Sequence, residues 1–349
     1  MSNHSKKLRF GIVGLGVISY RHAQSIADTE NAELVAASSR TEENRDKFSN
    51  EFDVRMFADF DEMLKQDDID AVSICTPSGT HMDFGVKAAE AGKHVVVDKP
   101  IEVSVDRGQK LLDACKKNGV KLAVIYQNRY SNAVLQLKDA VDSGKIGKPV
   151  MARGTVKWFR TQEYYKGSNW RGTLELDGGG ALINQSIHTL DLLIWILGDL
   201  KCVFGMKDTL THEGIEAEDN LIASLRFANG ALGNFEASTS IVPAQPRTIE
   251  INGSKGTAVL RGDQFELELE DKQASTDFSH ESDEEFFLKQ YDEIVNAILK
   301  GKEPPVSGEE SMLSLAAVEA IYDSCGNHSA INPSKYISDD FYSSKKLYS

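Results

Sequence analysis

Leu8-Arg9-Phe10-Gly11-Ile12-Val13-Gly14-Leu15-Gly16-Val17-Ile18-Ser19 decides the fold of this chain. An apolar strand (Leu8, Phe10, Ile12, Val13) ends on Gly14-Leu15-Gly16 and passes into a helical segment that runs through Ile26. This is how a dinucleotide-binding βαβ unit opens. Gly14 permits the tight turn, Gly16 lets backbone amides approach a pyrophosphate, and a third small residue fits where helix meets strand. The third position holds Ser19 rather than Gly or Ala. The anion would sit beside Val17 and Ile18, where unpaired N–H groups and the helix dipole favour negative charge. Two glycines alone describe any tight turn, but a buried strand before them and a second strand at Glu33–Ala37 make the reading specific.

Outward from that turn, strand and helix alternate as far as Tyr126. Expected strands are Leu8–Val13, Glu33–Ser38, Val54–Phe57, Ala71–Cys75, His94–Val97 and Lys121–Ile125, with helical stretches between them. Runs such as HVVVD at 94–98 are almost continuously apolar, as parallel strands covered on both faces are. The first half is therefore expected to be a doubly wound α/β sheet, a Rossmann domain over 1–127. From Asn128 the rhythm changes to strands of period two, with Asn229-Gly230 marking a hairpin. A helix is expected over Ala181–Leu197. Helices at Phe286–Lys300 and Gly308–Ser324 close an α+β domain over 128–331 with a largely antiparallel open sheet. A polar tail covers 332–349.

Composition narrows the function. The chain has 349 residues and a formal charge of −14, which argues against binding a nucleic-acid backbone. Cys75, Cys115, Cys202 and Cys325 show no metal-ligand spacing, so no metal and a reducing cytoplasm are expected. No apolar run is long enough to span a membrane, and MSNHSKK enters the first strand without a signal-peptide core.

Candidate site residues cluster after the strands. Ser38-Ser39-Arg40 ends the second strand, where an Asp or Glu would grip a ribose 2′-hydroxyl. Hydroxyls beside a cation suit a 2′-phosphate, favouring NADP over NAD, although Arg40 stacked on adenine would serve an NAD enzyme. Thr76, Pro77, Ser78 and His81 leave the fourth strand at its carboxyl end, the ligand-binding edge of such sheets. Asp98-Lys99-Pro100 closes the fifth at the same edge, and a cis Lys99–Pro100 bond would aim the lysine. Gln127 and Arg129 lie on the crossing into the second half, and an ion pair is the alternative role for Arg129. Trp170-Arg171 could hold a carboxylate or phosphate bidentately, or form a plain surface loop. Trp158 and Trp195 are expected in the core, and no partner for His22 is visible. In Asn184-Gln185-Ser186-Ile187-His188, the i,i+4 spacing puts Asn184 and His188 on one helix face, and Gly178-Gly179-Gly180 before them allows close backbone approach.

Taken together, GLG at 14–16, CTPSGTH at 75–81, DKP at 98–100 and GGGALINQSIH at 178–188 resemble the Gfo/Idh/MocA oxidoreductase family, over nearly the whole chain. The resemblance implies a nicotinamide cofactor, a sugar or cyclitol substrate, and dimers or tetramers built on the open sheet. It makes Lys99 the active-site lysine, in a DKP where the family usually has EKP, and His188 the proton-transfer residue. Many members have Asp in place of Asn184. The Asn form resembles members that oxidise the 3-hydroxyl of UDP-N-acetylglucosaminuronate, and it leaves no carboxylate to assist His188. The expected reaction is oxidation of a ring carbinol, with His188 as general base and Lys99 assisting. Lys99, Arg129, Trp170, Arg171, Asn184 and His188 would meet the substrate. Alternatives are an inositol dehydrogenase, a glycosidase working through transient 3-oxidation on bound NAD, and a non-catalytic sensor.

Overall fold

The computed structural model describes residues 7–270, 272–278 and 281–337. The expected tail at 332–349 lies partly outside the described residues. The chain divides into two compact units, and neither is continuous in sequence: residues 1–102, 106–127 and 282–311 make the first, the remainder the second.

In the first unit, β1 (Leu8–Val13), α1 (Val17–Asp28), β2 (Ala32–Ser38), α2 (Glu42–Ser49), β3 (Arg55–Phe57), α3 (Phe60–Leu64), β4 (Ala71–Ile74), α4 (His81–Glu90), β5 (His94–Val97), α5 (Val105–Lys117) and β6 (Leu122–Val124) follow in order. The six strands form one parallel sheet in the order β3-β2-β1-β4-β5-β6. The order reverses between β1 and β4, so the loops after those strands diverge and leave a crevice at the carboxyl edge. Phe10, Ile12, Val72, Ile74, Val95 and Val96 are fully or almost fully enclosed, which explains the unbroken apolar runs.

The second unit holds α6 (Asn132–Asp142), β7 (Pro149–Lys157), α7 (Gln162–Lys166), a π-helical turn at Ala181–Ser186, α8 (Ile187–Leu197), β8 (Leu200–Asp208), β9 (Asn220–Phe227), β10 (Leu232–Ser238), β11 (Thr248–Gly253), β12 (Gly256–Arg261), β13 (Gln264–Leu269) and β14 (Lys272–Phe278). Eight strands run β14-β13-β12-β11-β7-β10-β9-β8. Every pairing is antiparallel except β7 with β10. The Asn-Gly hairpin forms between β9 and β10, with Gly230 at φ +94°.

Two further helices follow, α9 (Asp283–Leu299) and α10 (Gly308–Asn327). The first returns to the first unit: Phe287, Tyr291, Ile294 and Ile298, spaced as one helical stripe, join Leu8, Phe10 and Ile12 in its core. Each such burial contributes about 1.5–3 kcal/mol relative to exposure. A Ser282–Glu285 capping box starts the helix. Trp158 and Trp195, expected in the core, are instead half-exposed and carry cations on their rings, Arg160 on the first and Arg129 and Lys138 on the second.

Candidate active site

Three loops meet at the carboxyl edge of the parallel sheet. At the first, Gly14 has φ +86°, and a Cβ there would lie 2.8 Å from the Cys75 carbonyl and the Thr76 methyl. A Cβ on Gly16, by contrast, would meet nothing within 4 Å. Gly16 caps α1 without a side-chain hydrogen bond, and the helix has no acid in its first turn. The N–H groups beside Val17 and Ile18 therefore open onto space suited to an anion. Ser19 replaces the third glycine without strain because its buried hydroxyl turns back to donate to the Gly16 carbonyl at 2.6 Å.

At the end of β2, the Ser38 carbonyl accepts from Gly14 N. Arg45 donates to the Ser39 and Arg40 carbonyls at 2.7 and 3.2 Å and so braces this loop, while Arg40 stays exposed. After β4, Thr76 and Pro77 lead to a 3₁₀ turn at Ser78–Thr80. His81, expected at the cofactor, is buried, its two ring nitrogens 2.9 and 3.0 Å from the Pro100 and Thr76 carbonyls. It ties the loop after β4 to the loop after β5.

That third loop carries Asp98, a half-buried Lys99 and a cis Lys99–Pro100 bond. Asp98 faces His22, whose Nε2 lies 3.4 Å from its Oδ1. The Nδ1 of His22 sits 2.9 Å from Ser73 Oγ and 2.8 Å from Tyr291 Oη. Burial alone would raise the Asp98 carboxyl, but the His22 hydrogen bond and charge, with Lys99 and His81 nearby, hold it below the usual carboxylate range. Burial pushes the Tyr291 phenol up to about 12, so it stays a neutral hydroxyl. Sequence reading found no partner for His22 because these groups lie 51 to 269 residues away. Gln127 donates to Asp283 at the start of α9.

In the second unit, the glycine run approaches protein, not an empty site. A Cβ on Gly180 would lie 2.0 Å from the Glu218 carbonyl, and one on Gly179 would lie 2.1 Å from Tyr322 Oη. The buried Glu218 carboxylate accepts from Gly180 N (3.2 Å), Leu182 N (2.8 Å) and Tyr322 Oη (2.9 Å). Burial raises the carboxyl of Glu218 despite these donors. Glu218 thus caps the π-helical turn from outside. Ser186 Oγ donates to carbonyls five and four residues back, at 2.5 and 3.0 Å, within the widened turn. The expected regular helix over Ala181–Leu197 is therefore π-helical in its first turn, which alters the angle between Asn184 and His188.

Asn184 Nδ2 donates to Asp177 Oδ1, and Asn184 Oδ1 accepts from Gln185 Nε2 at 2.6 Å. The second oxygen of Asp177 accepts from Gly172 N at 2.8 Å. Asn184 brings no carboxylate of its own, but Asp177 sets one against its amide. His188 stands half-exposed in the first turn of α8. One turn on, Asp191 takes the Nε and Nη2 of Arg129, each at 2.7 Å, and the hydroxyl of Ser314 at 2.7 Å. Arg129, expected at the substrate, is only 5% exposed and anchors α8 through this fork. Arg171 stacks on Tyr164 and Trp170, and the Tyr164 hydroxyl accepts from Gln185. Among the described residues, no group of three His, Cys, Asp or Glu side chains is placed to hold a metal.

Comparison with known proteins follows the same division of the chain. Residues 8–126 match the Gfo/Idh/MocA description "Oxidoreductase family, NAD-binding Rossmann fold", and residues 138–332 match its "C-terminal alpha/beta domain". The chain is 27% identical to the myo-inositol 2-dehydrogenase of Thermotoga maritima, over 88% of this chain and 93% of that protein. It is 29% identical to the NAD(+)-dependent scyllo-inositol 2-dehydrogenase of Bacillus subtilis, over 73% and 74%. Among solved structures, the WlbA dehydrogenase of Bordetella pertussis in complex with NADH and UDP-GlcNAcA is 35% identical, with a TM-score of 0.87 over 94% of this chain and 98% of that one.

Proposed function

The chain belongs to the Gfo/Idh/MocA family of NAD-binding oxidoreductases, and from that premise we propose how its residues divide the work of oxidising a ring hydroxyl of a sugar, nucleotide sugar or cyclitol. The observation that carries the reading is the carboxyl edge of the parallel sheet, where an open glycine at an uncapped helix N-terminus and a lysine at a strand end share one rim. That geometry fits a nicotinamide dinucleotide. The backbone of Gly14 to Ile18 would hold its pyrophosphate, Ser38, Ser39 and Arg40 its adenosine ribose, and Thr76, Pro77, Ser78, Asp98, Lys99 and Gln127 the nicotinamide half. The cofactor supplies a hydride acceptor when bound. Ser39 and Arg40, standing where a ribose-gripping carboxylate would repel a 2′-phosphate, support use of NADP as well as NAD.

His188 takes the hydroxyl proton onto its imidazole as general base, and Lys99 polarises the same oxygen through its Nζ. Asn184, oriented by Asp177, presents its amide to the substrate beside His188. The inositol dehydrogenases among the relatives support a cyclitol, and the nucleotide-sugar complex supports a UDP-linked sugar. No helix among the described residues is long and apolar enough to cross a membrane, and the four cysteines are free thiols, which supports a reducing compartment.

The test is turnover. Lys99→Met and His188→Ala should each lose on the order of 10²–10⁴-fold in kcat while nucleotide binding, read by fluorescence, survives. The double variant should lose little more than the worse single one, because groups acting on one proton are not additive. Rates near wild type in both single variants would remove these two roles.

A further inference from the structure

We infer that Arg160 and Arg171 form an oxyanion clamp, and that the substrate is a sugar carrying a carboxylate or phosphate, not a neutral sugar or cyclitol. The inference rests on the dehydrogenase reading above and narrows its substrate class.

The guanidinium of Arg171 lies 4.3 Å from the centroid of the Tyr164 ring, and that of Arg160 lies 5.4 Å from the same ring. Trp170 and Trp158 lie beyond them, each 5.2 Å from its arginine. The aromatic faces hold both cations but satisfy none of their N–H groups. Among the described residues, neither guanidinium has a carboxylate partner. Arg171 Nε is buried with no acceptor, and the Arg160 guanidinium reaches only the carbonyl of Phe159, at 3.2 Å. Arg9, Arg55, Arg107, Arg129 and Arg153 each meet a carboxylate. Both arginines are half-exposed against the same Tyr164 ring, which leaves their N–H groups open to an oxyanion that a ligand brings.

The cluster is also built rigidly. His212 Nε2 lies 2.8 Å from the Arg160 carbonyl, and Arg160 N donates to the Thr239 carbonyl at 2.8 Å. Beneath Tyr164, the buried Tyr165 packs edge-on and bonds Thr239 Oγ1 at 2.9 Å. Tyr164 Oη accepts from Gln185 Nε2 at 2.9 Å, and the same nitrogen donates to Asn184 Oδ1. A hydrogen-bond chain thus runs from Tyr164, on which both arginines rest, to Asn184. Guanidinium forks match carboxylate and phosphate oxygens bidentately, and a preorganised pair gives up little freedom on binding. The oxyanion could be a uronate carboxylate on the ring or a phosphate on the anomeric oxygen. The chemistry of recognition is the same.

Steady-state NADH formation with four substrates separates the cases. UDP-N-acetylglucosamine offers phosphate alone, a free hexuronate carboxylate alone, a UDP-linked hexuronate both, and myo-inositol neither. The wild type should favour at least one anionic substrate over myo-inositol by tenfold or more in kcat/KM, and the better single-anion arm identifies the oxyanion. Arg160→Gln and Arg171→Gln should each raise KM for that substrate at least tenfold with kcat within about threefold, so that the preference over myo-inositol shrinks at least tenfold. Arg171→Lys keeps the charge without the fork and should fall between; it decides the matter if melting shows that the Gln variant does not fold. Equal use of neutral and anionic sugars by the wild type, or unchanged KM in folded variants, overturns the clamp and leaves the dehydrogenase reading standing. If no sugar yields NADH, that reading fails instead. Calorimetry with the UDP-linked hexuronate then judges the clamp alone: binding lost in Arg171→Gln sustains it, and equal binding in both proteins removes it.

Discussion

Asp177 shows how a short local pattern conceals its most important neighbour. Asn184 and His188 were recognisable because four-residue spacing is a property of one helix, whereas Asp177 reaches Asn184 through a glycine-rich loop of no fixed geometry. Its two oxygens accept from Asn184 and from Gly172 N. Asp177→Asn leaves one acceptor oxygen for two donors and buries an unmatched amide, a loss of about 1–3 kcal/mol. We expect that variant to lower kcat about tenfold while nucleotide affinity holds, measured by initial rates and by nucleotide titration. Unchanged kcat in a folded Asp177→Asn would show that the orientation of Asn184 does not matter to the chemistry. The same limit hid the partners of His22 and the commitment of Arg129 to Asp191, since contacts across dozens of residues leave no periodic trace. Arg40 is a case where the chain position itself is informative. Arg40→Asp places a carboxylate where it repels a 2′-phosphate, and kcat/KM for NADP should fall at least tenfold relative to NAD. An unchanged ratio would mean that Arg40 does not face the ribose.

The parallel strands were legible element by element because burial on both faces forces continuous apolar runs, and their observed ends differ from expectation by a residue or so. β8 was missed. Its alternation is interrupted by Gly205, where a Cβ would lie 2.9 Å from Cys325 Sγ, and its outer positions are polar toward the end. The π-helical turn was equally invisible, because its cause is a cap from Glu218, a residue on another element. The link between β8 and β9 has a comparable hub. Asp219 accepts from Leu210 N, Thr211 N, Thr211 Oγ1, His212 N and Asn220 Nδ2 at 2.7–3.0 Å. Burial would raise its carboxyl, but these donors hold it far below the usual range. Because the folded pKa is depressed, this stabilisation is complete above the unfolded value near 3.9 and is lost as pH falls toward the folded one. Thermal midpoints of the wild type should therefore change little from pH 7 to about pH 5 through this group, then fall in stronger acid. Asp219→Asn should lose about 2–4 kcal/mol at pH 7, from the donors it no longer satisfies, and show a shallower acid limb. Parallel acid limbs in the two proteins would assign the acid sensitivity to other carboxylates.

At the scale of the whole chain, the eight-stranded sheet has one face lined by Val203, Leu221, Leu225, Phe235, Ile249 and Ile251, all buried. Its other face leaves large apolar side chains in water. Register puts Met206 beside Ile222, and Met151 beside Leu232, with Ser224, Asn234, Arg153 and Glu250 in the row between. Met206, Ile222, Met151 and Leu232 are each 46–59% exposed. Scattered apolar residues need no explanation, but two exposed apolar pairs flanking a polar row on one sheet face suit an interface between copies. A stable pairing removes about 800 Å² from each partner, an area that four to five strands of this sheet can supply. Ile222→Arg with Met206→Arg places two charges in one of those pairs without touching the buried face. Light scattering should find the wild type as a dimer or tetramer and the double variant as single chains. Because both positions are exposed on the isolated sheet, the unfolding free energy of the dissociated chain itself should shift by only about 0.5 kcal/mol. The apparent midpoint of the wild type alone should rise with protein concentration, since association stabilises only the folded state. A wild type that is monomeric at micromolar concentration, or a double variant of undiminished mass, would show that this face meets no second copy.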